Sequence, residues 1–349
     1  MELLRKHLAE GQVIPAQPLA LDDRRKFSEK HQRAITRYYM EAGVGGLAVG
    51  VHSTQFEIRE PQHGLFQPVL ELAEETMNES LIRQPRGFIK VAGICGPTAQ
   101  AVAEAGLARK FGYDAGLLSL AALKTATEEQ LVQHSREVAG TLPIIGFYLQ
   151  PSVGGRPLSF RFWRQFAEIP NVLAIKIAPF NRYQTLDVIR AVIEAGRDDI
   201  ILYTGNDDTI VTDLLTPFVF AHEGRKVTRQ IAGGLLGHWG VWTRRAVQLM
   251  NRIKEARKSD ALSTSWLTTA AAVTDMNAAV FDAANRFAGC IPGILEVLRR
   301  QGLTPTSLCL NPHETLSEGQ AEELDRVARC YPELTDDDFV RENLDRWLS

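Results

Sequence analysis

"PIIGFYLQPSVGGRPLSFRFWRQFAEIPNVLAIKIA", residues 143–178, decides the fold. Two short apolar runs, 143–150 and 172–178, flank a segment at 160–169 whose apolar residues recur at helical period. Strand, helix and strand in that order make one βαβ unit. The pattern extends outward in both directions. Apolar runs stand at 12–21, 45–51, 87–95 and 114–120 on one side, and at 199–205 and 230–237 on the other. Amphipathic stretches lie between them, at 29–43, 98–112, 128–140, 182–196 and 243–258. Several end in glycine, which suits the left-handed residue after a helix C-terminus.

Eight strands, each with a helix after it, predict a (β/α)8 TIM barrel over roughly residues 1–258, opened by the short amphipathic helix of "MELLRKHLAE". Residues 259–349 read as a C-terminal helical extension packed on the barrel. An open doubly wound sheet is the alternative, but no Gly-x-Gly-x-x-Gly follows the first strand.

The bulk numbers narrow the function. Thirty-nine Lys and Arg against 42 Asp and Glu leave a net charge of −3, which gives no nucleic-acid or anionic-membrane surface. No apolar run approaches the roughly 20 residues that span a bilayer, and the N-terminus does not read as a signal peptide. Cys95, Cys290, Cys309 and Cys330 are widely spaced and form no CxxC pair, so reduced thiols in a cytoplasm are expected. Of the eight histidines only His52, His222 and His238 lie near strand ends, none in ligand spacing, so no metal and no other cofactor is expected.

One residue breaks the pattern. Lys176 sits in "VLAIKIA", where burying an ammonium group costs several kcal/mol unless something uses it. A lysine in a dry site loses its proton more readily, and the free amine can attack a carbonyl to form a Schiff base. In a barrel the chemistry belongs to the C-terminal ends of the strands, and Lys176 lies toward the end of the sixth. Tyr148 occupies the same zone of the fifth strand, 28 residues earlier, and is expected beside Lys176 as a proton donor and acceptor. The loop "GVHSTQF" after the second strand offers His52, Ser53 and Thr54 for a carboxylate; capping of the next element reads equally well. Gly205 in "YTGND" would let a ligand approach the backbone, or serve the turn. Lys90 and Lys124 are the rival amines.

These residues resemble the dihydrodipicolinate synthase / N-acetylneuraminate lyase family. "YLQP" at 148–151 matches the family's Y-x-x-P segment, and Lys176 its I-K segment. "AGVGGLAVGVHSTQF" stands for its G-T-T-G-E loop, and "YTGNDD" for its strand-seven glycine. "VAGICGPTAQAVAEA" and "AANRFAGCIPGILEVLRRQGL" extend the likeness over nearly the whole chain. The resemblance implies class I aldolase or lyase chemistry: Lys176 forms a Schiff base with a pyruvate-type or sugar-derived 2-oxo acid, and Tyr148 shuttles protons. His52, Ser53 and Thr54 would hold the substrate carboxylate, Gly205 would touch the substrate through its carbonyl, and the chain would form a homo-oligomer, a dimer or tetramer. The departures are as informative. His52 and Ser53 replace the loop's two threonines, Gln55 its glutamate, and "SLAALKTAT" the tyrosine pair after strand four. Val153 stands where the family's arginine binds the carboxylate of aspartate semialdehyde, with Arg156 out of register. The chain is therefore not expected to be a true dihydrodipicolinate synthase. The alternative is a catalytically lapsed barrel that binds a metabolite or a partner.

Overall fold

The computed structural model describes residues 1–349. In chain order the elements are α1 (Glu2–Ala9), β1 (Val13–Pro15), α2 (Glu29–Ala42), β2 (Gly46–Val49), α3 (Phe66–Arg83), β3 (Ile89–Ile94), α4 (Thr98–Lys110) and β4 (Ala115–Leu118). Then come α5 (Glu128–Ala139), β5 (Ile144–Leu149), α6 (Phe160–Phe166), β6 (Val172–Ala178), α7 (Arg182–Glu194), β7 (Ile201–Thr204) and α8 (Ile210–Leu215). The antiparallel pair β8 (Pro217–His222) and β9 (Arg225–Gln230) precedes β10 (Gly233–Leu236). The chain closes with α9 (Thr243–Ala256), α10 (Ser265–Val280), α11 (Cys290–Arg300), α12 (Gln320–Cys330) and α13 (Asp337–Trp347).

Eight strands form one sheet in the order β1-β10-β7-β6-β5-β4-β3-β2. Its end strands meet through a parallel bridge between Ala16 and Ala48, so the sheet returns on itself. This is the expected (β/α)8 barrel with C-terminal helices, and all eight strands fall in the apolar runs. One connection departs from the regular pattern: the helix between the last two barrel strands, α8, has only six residues, and the β8–β9 hairpin follows it. The reason is local: exposure alternates along Pro217–His222 and again along Arg225–Gln230, and Glu223 and Gly224 take positive φ at the turn between them.

The residues group into two compact units, Met1–Gln12 with Ile89–Leu235, and Val13–Phe88 with Leu236–Ser349. In the first, Gly116 and Gly146 mark the helix-facing side of the sheet. A Cβ on Gly146 would come within 2.7 Å of Phe166, and one on Gly116 within 2.8 Å of Ile94. In the second, the buried Asp336 carboxylate accepts hydrogen bonds from Tyr38 Oη, Arg244 N and Gln301 Nε2, tying α2, α9 and α11 to the start of α13. No helix is long and apolar enough to cross a membrane.

Candidate active site at the end of the sixth strand

Every residue of β6 is buried, and Lys176 is only 7% exposed. Ala174, Lys176 and Ala178 share one face of the strand. That face is the barrel interior, because Gly146, whose missing side chain makes room for α6, pairs with Ile175 on the opposite face. The Lys176 amine lies over the Phe147 ring, 4.4 Å from its centre. An aromatic face favours a cation there, while burial disfavours it.

Gly205, just past β7, keeps space for this lysine. A Cβ at 205 would stand 2.6 Å from Lys176 Cε and 2.7 Å from Ala178 Cβ, so only glycine fits. The loop that carries it is held by a buried network. Asp213 accepts from Thr204 Oγ1 and Asn206 Nδ2 and pairs with Arg182 at 2.6 Å; Asn206 also donates to Thr185 and accepts from Phe180 N. Burial raises the Asp213 carboxyl above the usual range, and the Arg182 charge opposes that.

Tyr148 is not where the spacing placed it. The register pairs Phe147 with Lys176 and Tyr148 with Ile177, so the phenol faces the helices. Its ring packs on Trp163 of α6 at 5.3 Å, and its hydroxyl donates to Leu158 O and accepts from Leu158 N, both at 3.1 Å. Burial raises its pKa, with Asp187 and Glu128 of the helical layer adding to the rise. The cause is one irregularity. Ile144 pairs with Val172 but Ile145 with Ala174, so Leu173 is an extra residue on β6 and every later pairing moves on by one. A one-residue slip exchanges the two faces of a strand.

Tyr203 of β7 is the other register neighbour of Lys176, yet its hydroxyl donates to Leu8 O and accepts from Gln12 N. Lys90 shares its face with Ala92 and Ile94, the helix-facing side, and Lys124 is exposed. Arg156 donates to the carbonyls of Leu123, Lys124 and Ala126, which ties the loop after β5 to the loop after β4.

In the second unit, His52–Thr54 form a single 3-10 turn after β2. Ser53 Oγ donates to Ala16 O, and Thr54 Oγ1 donates to Gln17 O at 2.6 Å while accepting from Gly50 N and Val51 N. Both hydroxyl protons are thus committed to the β1 segment, and in this conformation neither is a free donor for a carboxylate. The His52 ring lies 5.9 Å from Phe56, and the Arg59 guanidinium stacks on Phe66 at 4.2 Å. Gln55, at φ +68°, accepts from Leu310 N.

The sequence reading missed Phe147 and Ser119, both on the interior face of the sheet. Gly146 was the available signal: a glycine under an aromatic helix face assigns the outer side, and its neighbour then points inward.

The model of the dihydrodipicolinate synthetase family matches residues 10–330. The 4-hydroxy-tetrahydrodipicolinate synthase of Ruthia magnifica is 32% identical over 201 residues, 57% of this chain and 62% of that protein. The synthase of the same name from Aromatoleum aromaticum is 29% identical over 179 residues, 50% of this chain and 56% of that protein. The aligned part thus spans about three-fifths of those relatives. Among solved structures, dihydrodipicolinate synthase from Agrobacterium tumefaciens superposes with a TM-score of 0.72 at 18% identity, over 94% of this chain and 99% of that one. N-acetylneuraminate lyase from Fusobacterium nucleatum, complexed with pyruvate, gives 0.70 at 16% identity over 93% and 97%. At such identities these structures speak for the fold, while the family match covers most of the sequence. The chain belongs to the dihydrodipicolinate synthetase family.

Proposed function

We propose that the protein is a lyase that forms a Schiff base between Lys176 and a 2-oxo acid, pyruvate-type or sugar-derived, for aldol cleavage, condensation or dehydration. One observation carries the reading: a buried lysine on the interior face of the sixth strand, its space kept by Gly205, in a member of this family. Burial in an apolar strand disfavours the charged form of the amine and so favours the free amine that attacks a ketone. The neutral amine adds to the ketone carbon, and loss of water leaves the imine. The carboxylate is assigned to the turn His52–Thr54, which must reorient or use its backbone amides, since the Ser53 and Thr54 hydroxyls are occupied. The domain organisation proposed with this reading is a barrel over 1–258 and an extension over 259–349, and the assembly a dimer or tetramer.

A true dihydrodipicolinate synthase activity is not part of the proposal. Val153 offers no guanidinium, and Arg156 is engaged with three carbonyls. Leaving a substrate carboxylate unpaired costs at least ~10²-fold in rate or affinity.

The test is borohydride reduction with pyruvate and a panel of sugar-derived 2-oxo acids, read by intact mass. The wild type should gain the mass of one reduced adduct at Lys176, and Lys176→Ala should gain none while remaining folded. The second reading, a lapsed barrel that binds a metabolite, is favoured by the outward Tyr148 and the occupied hydroxyls. It requires that no 2-oxo acid be trapped although one raises Tm.

A further inference from the structure

The β8–β9 hairpin is a two-stranded sheet of its own, apart from the barrel sheet, with six residues in each strand. Its turn fixes which way the backbone faces. Glu223 and Gly224, at φ +48° and +75°, make a two-residue loop between His222 and Arg225, which are register partners. Such a loop closes on a hydrogen-bonded pair, and bonded and unbonded pairs then alternate along the ladder. His222 with Arg225, Phe220 with Val227 and Phe218 with Arg229 are therefore the bonded pairs. The N–H and C=O groups of Val219 and Ala221, and the C=O of Pro217, face away from β9. No other main-chain bond of the chain reaches them.

The two free edges of this ribbon differ. On β9 the outward residues are Lys226, Thr228 and Gln230, and Arg225 and Arg229 lie on the same strand, so that edge is cationic. Lysine on an edge strand is one of the devices that keep edges apart. β8 has no Lys, Arg, Asp or Glu, and its outward residues are Pro217, Val219 and Ala221. All three are exposed, Val219 by 53%. α7 packs on this strand, with the Arg182 guanidinium 5.9 Å from the centre of the Phe218 ring. The next residue of α7, Tyr183, is 82% exposed. An open, uncharged edge with apolar side chains along it is a template for another strand.

We propose that the free edge of β8 is the interface between two copies of this chain, joined antiparallel about a two-fold axis into one four-stranded sheet in the order β9-β8-β8-β9. Charge and closure select a second copy. Two β9 edges would set cations against cations, and β8 against β9 of another copy would add subunits without closing. β8 against β8 is self-complementary and stops at two. The register centred on Phe220 sets Val219 of each copy opposite Ala221 of the other, and the two outward N–H groups of each copy all find a carbonyl. The two Phe220 residues then form an unbonded pair on the axis, with Cα atoms roughly 4.5 Å apart. The proposal rests on the dimer or tetramer assigned above and names the surface that builds it.

The experiment is solution mass by light scattering over a concentration series, for wild type, Val219→Lys and Lys226→Glu, with Tm as the control for folding. Val219→Lys puts a charge on the open edge and should halve the mass, whereas Lys226→Glu should leave it unchanged. A monomeric wild type removes this surface and the assembly together. An oligomer whose mass Val219→Lys leaves unchanged removes this surface alone. Should Val219→Lys not fold, cross-linking decides, in a Cys330→Ser background that lacks the exposed thiol. Phe220→Cys should give a covalent dimer under mild oxidation, because the paired Cα atoms lie within the reach of about 4.4–6.8 Å that a disulfide spans. Thr228→Cys, on the β9 edge, should give none. A Phe220→Cys chain that stays single on a non-reducing gel overturns the proposal.

Discussion

Lys176 lies opposite Phe147, with its amine 4.4 Å from the ring centre, and Tyr148 lies opposite Ile177 with its hydroxyl turned to the helices. One extra residue, Leu173, separates these pairings from those that a constant offset of 28 residues would give. For Tyr148 the expected consequence is one of stability. Tyr148→Phe deletes a buried hydroxyl that both donates to and accepts from Leu158. It should lower unfolding free energy by roughly 1–3 kcal/mol, measured in urea, and leave the trapping rate within a few-fold of wild type. A loss of 10²-fold or more would return the tyrosine to the chemistry.

Gly205 fixes how close β7 comes to the lysine. In Gly205→Ala the new methyl overlaps Lys176 Cε and Ala178 Cβ, and the side chain of the lysine is the part able to move. Borohydride trapping should fall at least ~10-fold, with a stability loss of about 1–3 kcal/mol. Trapping at the wild-type rate would mean that the amine does not react from this position.

The barrel was legible because eight apolar runs follow one another with a helical stretch after six of them, and period alone separates the two kinds. The burial of Lys176 was legible for the same reason: it is the one charge inside "VLAIKIA", and the strand that carries it is buried throughout. What could not be read was which face Tyr148 takes. Strand periodicity assigns faces only if register is continuous, and an extra residue such as Leu173 leaves no mark in a uniformly apolar run. The bonds of Ser53 and Thr54 were hidden for a different reason. Their side chains suit an anion, but the distance to the carbonyls of Ala16 and Gln17 is a tertiary fact.

His238 should give stability a pH dependence above the carboxylate range. Burial lowers its pKa to about 4, against about 6.5 for an unfolded histidine. Above pH 6.5 both states are neutral at this site and the full stability is present. Between 6.5 and 4 the unfolded chain takes a proton that the native state refuses, so stability falls as the pH falls. The His238 part of the loss should reach about 2–3 kcal/mol by pH 4 and vanish in His238→Phe, leaving the smaller part from His134 and His31, whose pKa values burial also lowers. Glu296 acts lower, because Arg299 and Arg300 hold its carboxyl at about 2 and its contribution disappears only below about pH 4.5. Urea melts at half-unit pH steps separate the two. A flat profile from 6.5 to 4.5 in the wild type would refute the assignment to His238.

Asp336 should be the most sensitive polar position in its unit. It is 2% exposed and binds Tyr38 Oη at 2.8 Å, Arg244 N at 2.9 Å and Gln301 Nε2 at 3.0 Å. Tyr38 Oη in turn accepts from Thr243 N at 2.7 Å, so the start of α9 is fixed by the phenol and the carboxylate together. Burial raises the Asp336 carboxyl above its usual range, and the bond from Tyr38 opposes that rise. Asp336→Ala takes the acceptor from the buried Tyr38 hydroxyl and the half-buried Arg244 amide, while Gln301 Nε2 keeps its bond to Asp337, and should cost about 2–4 kcal/mol, several times the cost of an exposed carboxylate. Tyr38→Phe removes one donor to Asp336 and the acceptor of Thr243 N, and should cost roughly 1–3 kcal/mol. The double variant should fall short of the sum by about 1–2 kcal/mol, because the two groups share one bond. Strict additivity in urea unfolding would show that Tyr38 and Asp336 stabilise the unit independently, and the network would then be two separate contacts.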